Sequence, residues 1–421
     1  MSRRGARKAV KTSREGCRLC GGHRLSTVVT LHDMPVSHAL RRGEDDPDPR
    51  FDVAFKACAR CGLLQIVDVV EPQVLYRDTD SYTTSFQKPR HLDDLITTAV
   101  AHQDPGQVID IGCNDGALMD ALKRHGYAGI VGVEPIKMAA QQALDKGYVV
   151  YTDFFGGALA ERILEAHGPF EALYLRHVAE HIDALGEFFQ ALRKILQPDG
   201  LLIMELPQVE CGLAGGNAAV LWEEHVNYFT EPLAEYLLMR YGFKILERRH
   251  YAFGGGAIAF VARKVAMPRK APRAPNPAAA LRLVREFNVG LGRYRDRLRS
   301  LVADARGAGY KVVMYGAAPR SCVVASACGI GSMIDVVIDD RSDIQGRLMP
   351  GTHRPVLALD SGLAQINGAP MVCLLGVGSE NEFKVRAKLA AVLRSEPPCV
   401  SLFPPRDTLK SIAAAAAAIK P

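Results

Sequence analysis

The 421-residue chain has one tryptophan, and aromatic residues make up only 7% of it. No uninterrupted apolar run approaches the roughly 18 residues of a membrane-spanning helix. The first residues lack the apolar core of a secretory signal, so a reducing cytoplasm is expected. Acid is absent from residues 1–14, which hold Arg3, Arg4, Arg7, Lys8, Lys11 and Arg14. Those six cations account for the whole formal net charge of +6 and leave the remainder neutral. A neutral body has no basic face for phosphate-rich partners, so nucleic acid is not an expected partner. The arm itself, residues 1–14, reads as a disordered solvated tail. Ten cysteines in such a compartment are expected as thiols and metal ligands and not as disulfides.

What is present centres on VIDIGCNDGALMDAL, residues 108–122. A mostly apolar strand runs into the glycine turn Asp110-Ile-Gly112-Cys-Asn114-Asp115-Gly116, and an amphipathic helix follows. A second strand, GIVGVE, ends in Glu134, an acid placed to hold two ribose hydroxyls. Glycine at 112 and 116 lets the backbone approach a ligand. The turn lacks the third glycine of a dinucleotide site and the lysine and hydroxyl of a P-loop. It therefore suits a ligand without phosphate, such as S-adenosylmethionine.

The fold class expected is α/β in two or three domains, at roughly 100–200 residues each. Cys17 and Cys20 form one CxxC, and Cys58 and Cys61 another. Twinned CxxC turns supply four thiolates to one tetrahedral ion, so residues 15–75 read as a small domain around structural zinc. Residues 76–263 alternate strand and helix, which implies a parallel doubly wound sheet with ligands at the strand C-termini. Asp153, Phe154 and Phe155 follow the third strand and read equally as an adenine grip or as a helix start over buried rings. RHVAEH follows the fourth strand and brings His177, Glu180 and His181. After the fifth comes LWEEHVNYF, with Trp222, Glu224, His225 and Tyr228. A histidine beside carboxylates has its imidazolium stabilised, so His225 is expected to be a catalytic base of raised basicity. Residues 264–280 are rich in Pro, Ala and base and read as a linker. Residues 281–410 form a further small α/β domain, where Tyr315 and Arg320 flank the small-residue turn Gly316-Ala317-Ala318. Residues 411–421 read as a tail without functional signal.

In that order, the paired CxxC, IDIGCNDG, GVEP, DFF, EEHVNYF, YGAAPRS and DDRSDIQGRLMPGTHRPV resemble the three-domain sugar C-methyltransferases. The resemblance runs from about Cys17 to the region of Asn381. It implies a zinc-binding domain, a class I methyltransferase domain and a smaller Rossmann-like domain that holds a nucleotide-sugar. It also implies methylation of a nucleotide-linked 4-keto deoxysugar at C3, through an enolate, in antibiotic or other secondary metabolism. Carried over by residue, Cys17, Cys20, Cys58 and Cys61 are the zinc ligands. Gly112, Asn114, Asp115 and Glu134 fall to the cofactor, and Asp110, Gly116, Asp153, Phe154 and His177 are further cofactor candidates from their places at the strand ends. His225 is the base with Glu224 orienting it, and His181 and Tyr76 sit where the family has substrate-contacting or proton-handling groups. Trp222, Tyr228, Tyr315 and Arg320 fall to the substrate. Trp222 departs from the tyrosine often found there, and an indole cannot exchange a proton as a phenol does. Two other readings are an RNA or protein methyltransferase that uses the zinc module for recognition, and a non-enzymatic nucleotide-binding protein. A monomer is expected.

Overall fold

The computed structural model describes residues 11–70, 75, 90–404 and 406–419. Tyr76 and residues 1–10 lie outside the described residues.

The chain opens on β1 (Lys11–Ser13), β2 (Leu25–Pro35), β3 (Arg50–Cys58), β4 (Leu64–Ile66) and β5 (Asp68–Val70). Strand β1 pairs with β5, so the expected disordered tail is corrected from Lys11 onward: this backbone is tied into a ladder. The CxxC turns sit before β2 and at the end of β3, and all four cysteines are buried.

The central unit follows as α1 (Leu92–Val100), β6 (Gln107–Ile111), α2 (Ala117–Arg124), β7 (Ala128–Val133), α3 (Lys137–Asp145), β8 (Val149–Tyr151), α4 (Gly157–His167) and β9 (Phe170–Arg176). It continues as α5 (Leu185–Ile195), β10 (Leu196–Pro207), α6 (Val209–Ala214), β11 (Asn227–Tyr228), α7 (Glu231–Arg240), β12 (Phe243–Tyr251) and β13 (Ala257–Lys264). Seven strands make one sheet in the order β12-β13-β10-β9-β6-β7-β8. The expected all-parallel sheet needs correction, because β13 runs antiparallel to both β10 and β12. A short turn joins β12 to β13, and only a longer crossover would let the second strand run parallel. The order still reverses beside β6, so the ends of β6 and β9 open into a crevice. Strand β11 leaves this unit and pairs with β4 of the zinc-binding sheet.

The last unit holds α8 (Pro277–Gly307), β14 (Lys311–Tyr315), α9 (Pro319–Ala327), β15 (Val336–Ile338), β16 (Leu348–Met349), β17 (Arg354–Leu357), α10 (Leu359–Ile366), β18 (Met371–Leu375), α11 (Glu382–Leu393), β19 (Cys399–Ser401) and α12 (Thr408–Ala418). Its six strands run in the order β16-β17-β15-β14-β18-β19. The C-terminal stretch, which reads as a helical or frayed low-complexity tail, is helical, and α12 docks by burying Thr408, Ile412 and Ala415.

Cores cross the unit boundaries. Phe55 of β3 belongs to the same apolar cluster as Phe287 and Leu291 of α8. The four cysteines join Ile109, Leu175 and Phe229 of the central unit in another. Burial of this kind, at about 25 cal/mol per Å² of apolar surface, binds the cysteine-bearing unit to the central sheet.

Candidate active site

A cleft of about 880 Å³ is walled by all three units. The central unit supplies the ends of β6, β7, β9 and β10. The zinc-binding unit supplies His38, and the C-terminal unit supplies Ala317 to Arg320, Asp339 and Arg341.

At one end, Asp110, Gly112, Asn114, Asp115 and Glu134 line the wall. Gly112 has φ +82°, and a Cβ there would meet Val178 Cγ2 at 2.5 Å. Glycine is thus required by backbone conformation and by Val178, as well as by any ligand. Gly116 has φ +79° and backs onto Ala143, and it is absent from the lining. Glu134 is 5% exposed. Its Oε2 accepts from the Asn114 amide at 3.0 Å and its Oε1 from the Ile136 amide at 2.9 Å. Burial pushes Glu134 up to about 7 against those two bonds, and burial also pushes Asp110 up to about 7. Phe154 and Phe155 line the cleft, whereas Asp153 is exposed and does not.

The C-terminal unit repeats this arrangement. Asp339 follows β15, the second strand of its own strand–turn–helix unit. Its Oδ2 accepts from the Ala317 amide at 2.8 Å, in the glycine turn after β14, and its Oδ1 from the Arg341 amide at 2.9 Å. In both units an acid closes the second strand, takes one amide from the first turn, and takes one from two residues ahead. The strand-end rule applied to the central unit would also have marked Asp339. Arg320 lines the same region, donates to the carbonyls of Ala219 at 3.2 Å and Gly254 at 2.9 Å, and stacks over Phe403. Tyr315 is corrected: it is 2% exposed, donates to Asp340 Oδ1 at 2.8 Å and is absent from the lining.

Deep in the cleft, His177 has φ +52°. Its Nε2 lies 3.3 Å from Glu205 Oε1 and its Nδ1 3.5 Å from Glu180 Oε1. Burial opposes its charge, but the two carboxylates override it and raise His177 to about 9. Glu205 is fully buried, and Arg176 and His91 hold it at 2.5 Å and 2.8 Å. His177 is thereby a cation locked between acids.

At the reacting end, the His225 ring meets Trp222 at 4.6 Å and His181 at 4.8 Å between centroids. Burial, then the charges of His181, His177 and Arg320, holds His225 well below the ordinary histidine range. This corrects the expectation of raised basicity. The adjacent carboxylates point elsewhere: Glu224 Oε1 lies 2.6 Å from His38 Nδ1, and Glu223 Oε1 accepts from the Ser37 amide at 2.7 Å and its hydroxyl at 2.6 Å. Glu224 therefore makes its short contact with His38 and not with His225. Tyr228 is corrected too: it is 1% exposed, absent from the lining, and its hydroxyl accepts from the Trp222 amide and donates to the Trp222 carbonyl. No local signal in the sequence marks His38, which stands in another domain.

The cysteine cluster fits zinc. Cys17 and Cys61 sulfurs are 3.6 Å apart, as are those of Cys20 and Cys58. Tetrahedral zinc–sulfur bonds of about 2.3 Å require sulfurs about 3.8 Å apart. Among the described residues, Glu180, His181 and His225 also bring one ligand atom each within 4.8 Å of one another. No described helix is long and apolar enough to cross a membrane.

Three family descriptions match in series: a zinc binding domain over residues 17–76, a methyltransferase domain over 85–248 and a C-methyltransferase C-terminal domain over 275–374. The chain is 28% identical over 360 residues to the C-methyltransferase NovU of Streptomyces niveus, covering 81% of this chain and 84% of that one. It is 34% identical over 103 residues to a ubiquinone biosynthesis O-methyltransferase of Caulobacter sp. (strain K31), covering 23% of this chain and 39% of that one. The PH0226 protein of Pyrococcus horikoshii OT3 is 16% identical and covers 45% of this chain and 98% of its own, with a TM-score of 0.34.

Proposed function

We propose that this chain, an S-adenosylmethionine-dependent C-methyltransferase with zinc-binding, methyltransferase and C-terminal domains, acts on a nucleotide-linked 4-keto deoxysugar and methylates C3. One observation carries the reading. Glu134 and Asp339 are matching strand-end acids on opposite units of one cleft, with His225 on the same walls. Glu134 suits the ribose of S-adenosylmethionine, and Asp339 suits the pentose of a nucleotide. The cleft falls in the range of volumes used for small-molecule ligands.

A carbon becomes a nucleophile only after loss of a proton α to a carbonyl. His225, kept neutral by its surroundings, takes the C3 proton with its free lone pair. The ketone oxygen gains the charge, and an N–H of His181 donates to it. S-adenosylmethionine, when bound, supplies an electrophilic methyl that the enolate carbon takes. The C3–methyl bond forms as the sulfonium–methyl bond breaks, and His225 later gives its proton to solvent. The imidazolium of His177 adds positive potential near the developing enolate. Phe154, Phe155 and Trp222 exclude water from the cleft wall.

The test is turnover of thymidine-, uridine- and guanosine-diphosphate 4-keto sugars with labelled S-adenosylmethionine. The expected product gains one methyl and loses the deuterium placed at C3. Methyl transfer to oxygen, or transfer with the C3 deuterium retained, refutes the enolate route.

A further inference from the structure

The loop bearing the candidate base is held from a different domain. His38 follows β2 in the zinc-binding unit, is 6% exposed and lines the cleft. Its Nδ1 lies 2.6 Å from Glu224 Oε1, and Glu224 is 1% exposed. Burial works against a charge on His38, but Glu224 and then Glu223 override it and raise the imidazole above the ordinary histidine range.

Ser37, the preceding residue, completes the clasp. Its amide and hydroxyl bind Glu223, and Trp222 Nε1 donates to its oxygen at 2.9 Å. Three consecutive residues, 222 to 224, are therefore tied to two consecutive residues of the zinc-binding unit, and His225 is next in the chain. All five residues of the clasp are buried or half-buried. A charge pair shielded in this way is rigid, because removal of either partner leaves the other charged and unsolvated.

We propose that His38 is a positioning residue for methyl transfer: paired with Glu224, it holds the 222–225 turn against the zinc-binding unit and so sets where the His225 ring stands in the cleft. The proposal rests on His225 as the base. Proton abstraction from carbon needs the lone pair aligned within a fraction of an ångström, and a misplacement of about 1 Å costs on the order of 100-fold.

The experiment compares His38→Ala and His38→Asn in the full chain, each loaded with zinc and checked by melting and metal content. Asparagine keeps an N–H near the Nδ1 position, whereas alanine keeps none. His38→Ala should lower kcat about 100-fold with KM values changed less than about threefold, and His38→Asn should recover about tenfold of that loss. Nitrogen-15 histidine spectra with S-adenosylmethionine bound should show the His225 ring resonances shifted by His38→Ala and restored toward wild type by His38→Asn. Unmoved His225 resonances, an unchanged kcat, or a loss that tracks only the folded fraction would overturn the proposal. The spectra need no sugar. If His225→Ala still washes deuterium out of the substrate, the base assignment alone fails, and the His38 effect on the ring is still read.

Discussion

The imidazole rings of His181 and His225 meet edge to face, with centroids 4.8 Å apart and planes at 89°. A second imidazole this close disfavours protonation of His225, and burial adds to the effect. Burial comes first and His181 second in holding His225 down. A depressed base stays neutral to lower pH, so the acidic limb of kcat/KM should lie below the ordinary histidine value of about 6.5. His225→Ala should abolish methyl transfer and deuterium washout together, a loss of about 100-fold or more. His181→Asn should lower the rate at every pH and move the acidic limb upward. A pH–rate profile of the three proteins checks both statements.

Glu134 and Asp339 occupy matching places, so their neutral variants should separate the two ligands. Glu134→Gln should weaken S-adenosylmethionine by about 10- to 100-fold, as expected for a hydrogen bond to a charged group. Asp339→Asn should weaken the nucleotide-sugar by a similar factor and leave S-adenosylmethionine unchanged. Burial raises Glu134 to about 7, so the carboxylate ionises only above that range. Cofactor affinity should fall as pH drops through 7, and Glu134→Gln should flatten the dependence in part, because Asp110 titrates in the same window. Calorimetry across pH 5.5 to 8.5 tests it.

Zinc should govern more than the small domain. The cysteines share a core with Ile109 and Phe229, and β11 pairs with β4. Cys58→Ser, or removal of the metal by a chelator, should lower the melting temperature of the whole chain and disturb the cleft. Loss of zinc with an unchanged melting curve and full activity would contradict this coupling.

Trp222 binds through its indole N–H to Ser37 and lays its ring against His225. Trp222→Phe keeps a smaller aromatic ring and removes the donor. Stability should fall by about 1 kcal/mol, the usual loss for one hydrogen bond, while turnover per folded molecule stays within about threefold. A loss of turnover near that of His225→Ala would show that the Trp222–Ser37 bond alone decides the placing of the His225 ring.

His177, raised to about 9 by Glu180 and Glu205 against burial, should leave a mark on stability. The unfolded histidine releases its proton near 6.5, whereas the folded one holds it to about 9. Its contribution is complete below 6.5 and is lost as pH rises through 9. Urea midpoints measured between pH 6 and 10 should decline over that interval, and His177→Asn should shrink the decline.

What local chemistry encodes was legible in the residues. Two CxxC turns place thiolates in pairs whatever surrounds them, and a strand, a glycine turn and an acid at the next strand end describe a nucleotide seat within about thirty residues. The segment carrying His225 could likewise be marked by its polar density after the fifth strand. The partners of those groups were not legible. Glu224 stands beside His225 in sequence, yet its short contact is with His38, 186 residues away. The low basicity of His225 depends on desolvation and on His181, His177 and Arg320, which two other segments of the fold bring near. Strand β13 turns antiparallel because its connection to β12 is short, and α12 docks because β19 and α8 offer it an apolar surface. Residue types and spacings settle which groups can do chemistry. Which charges they meet, and how far water is excluded, follows only when distant parts of the chain pack together.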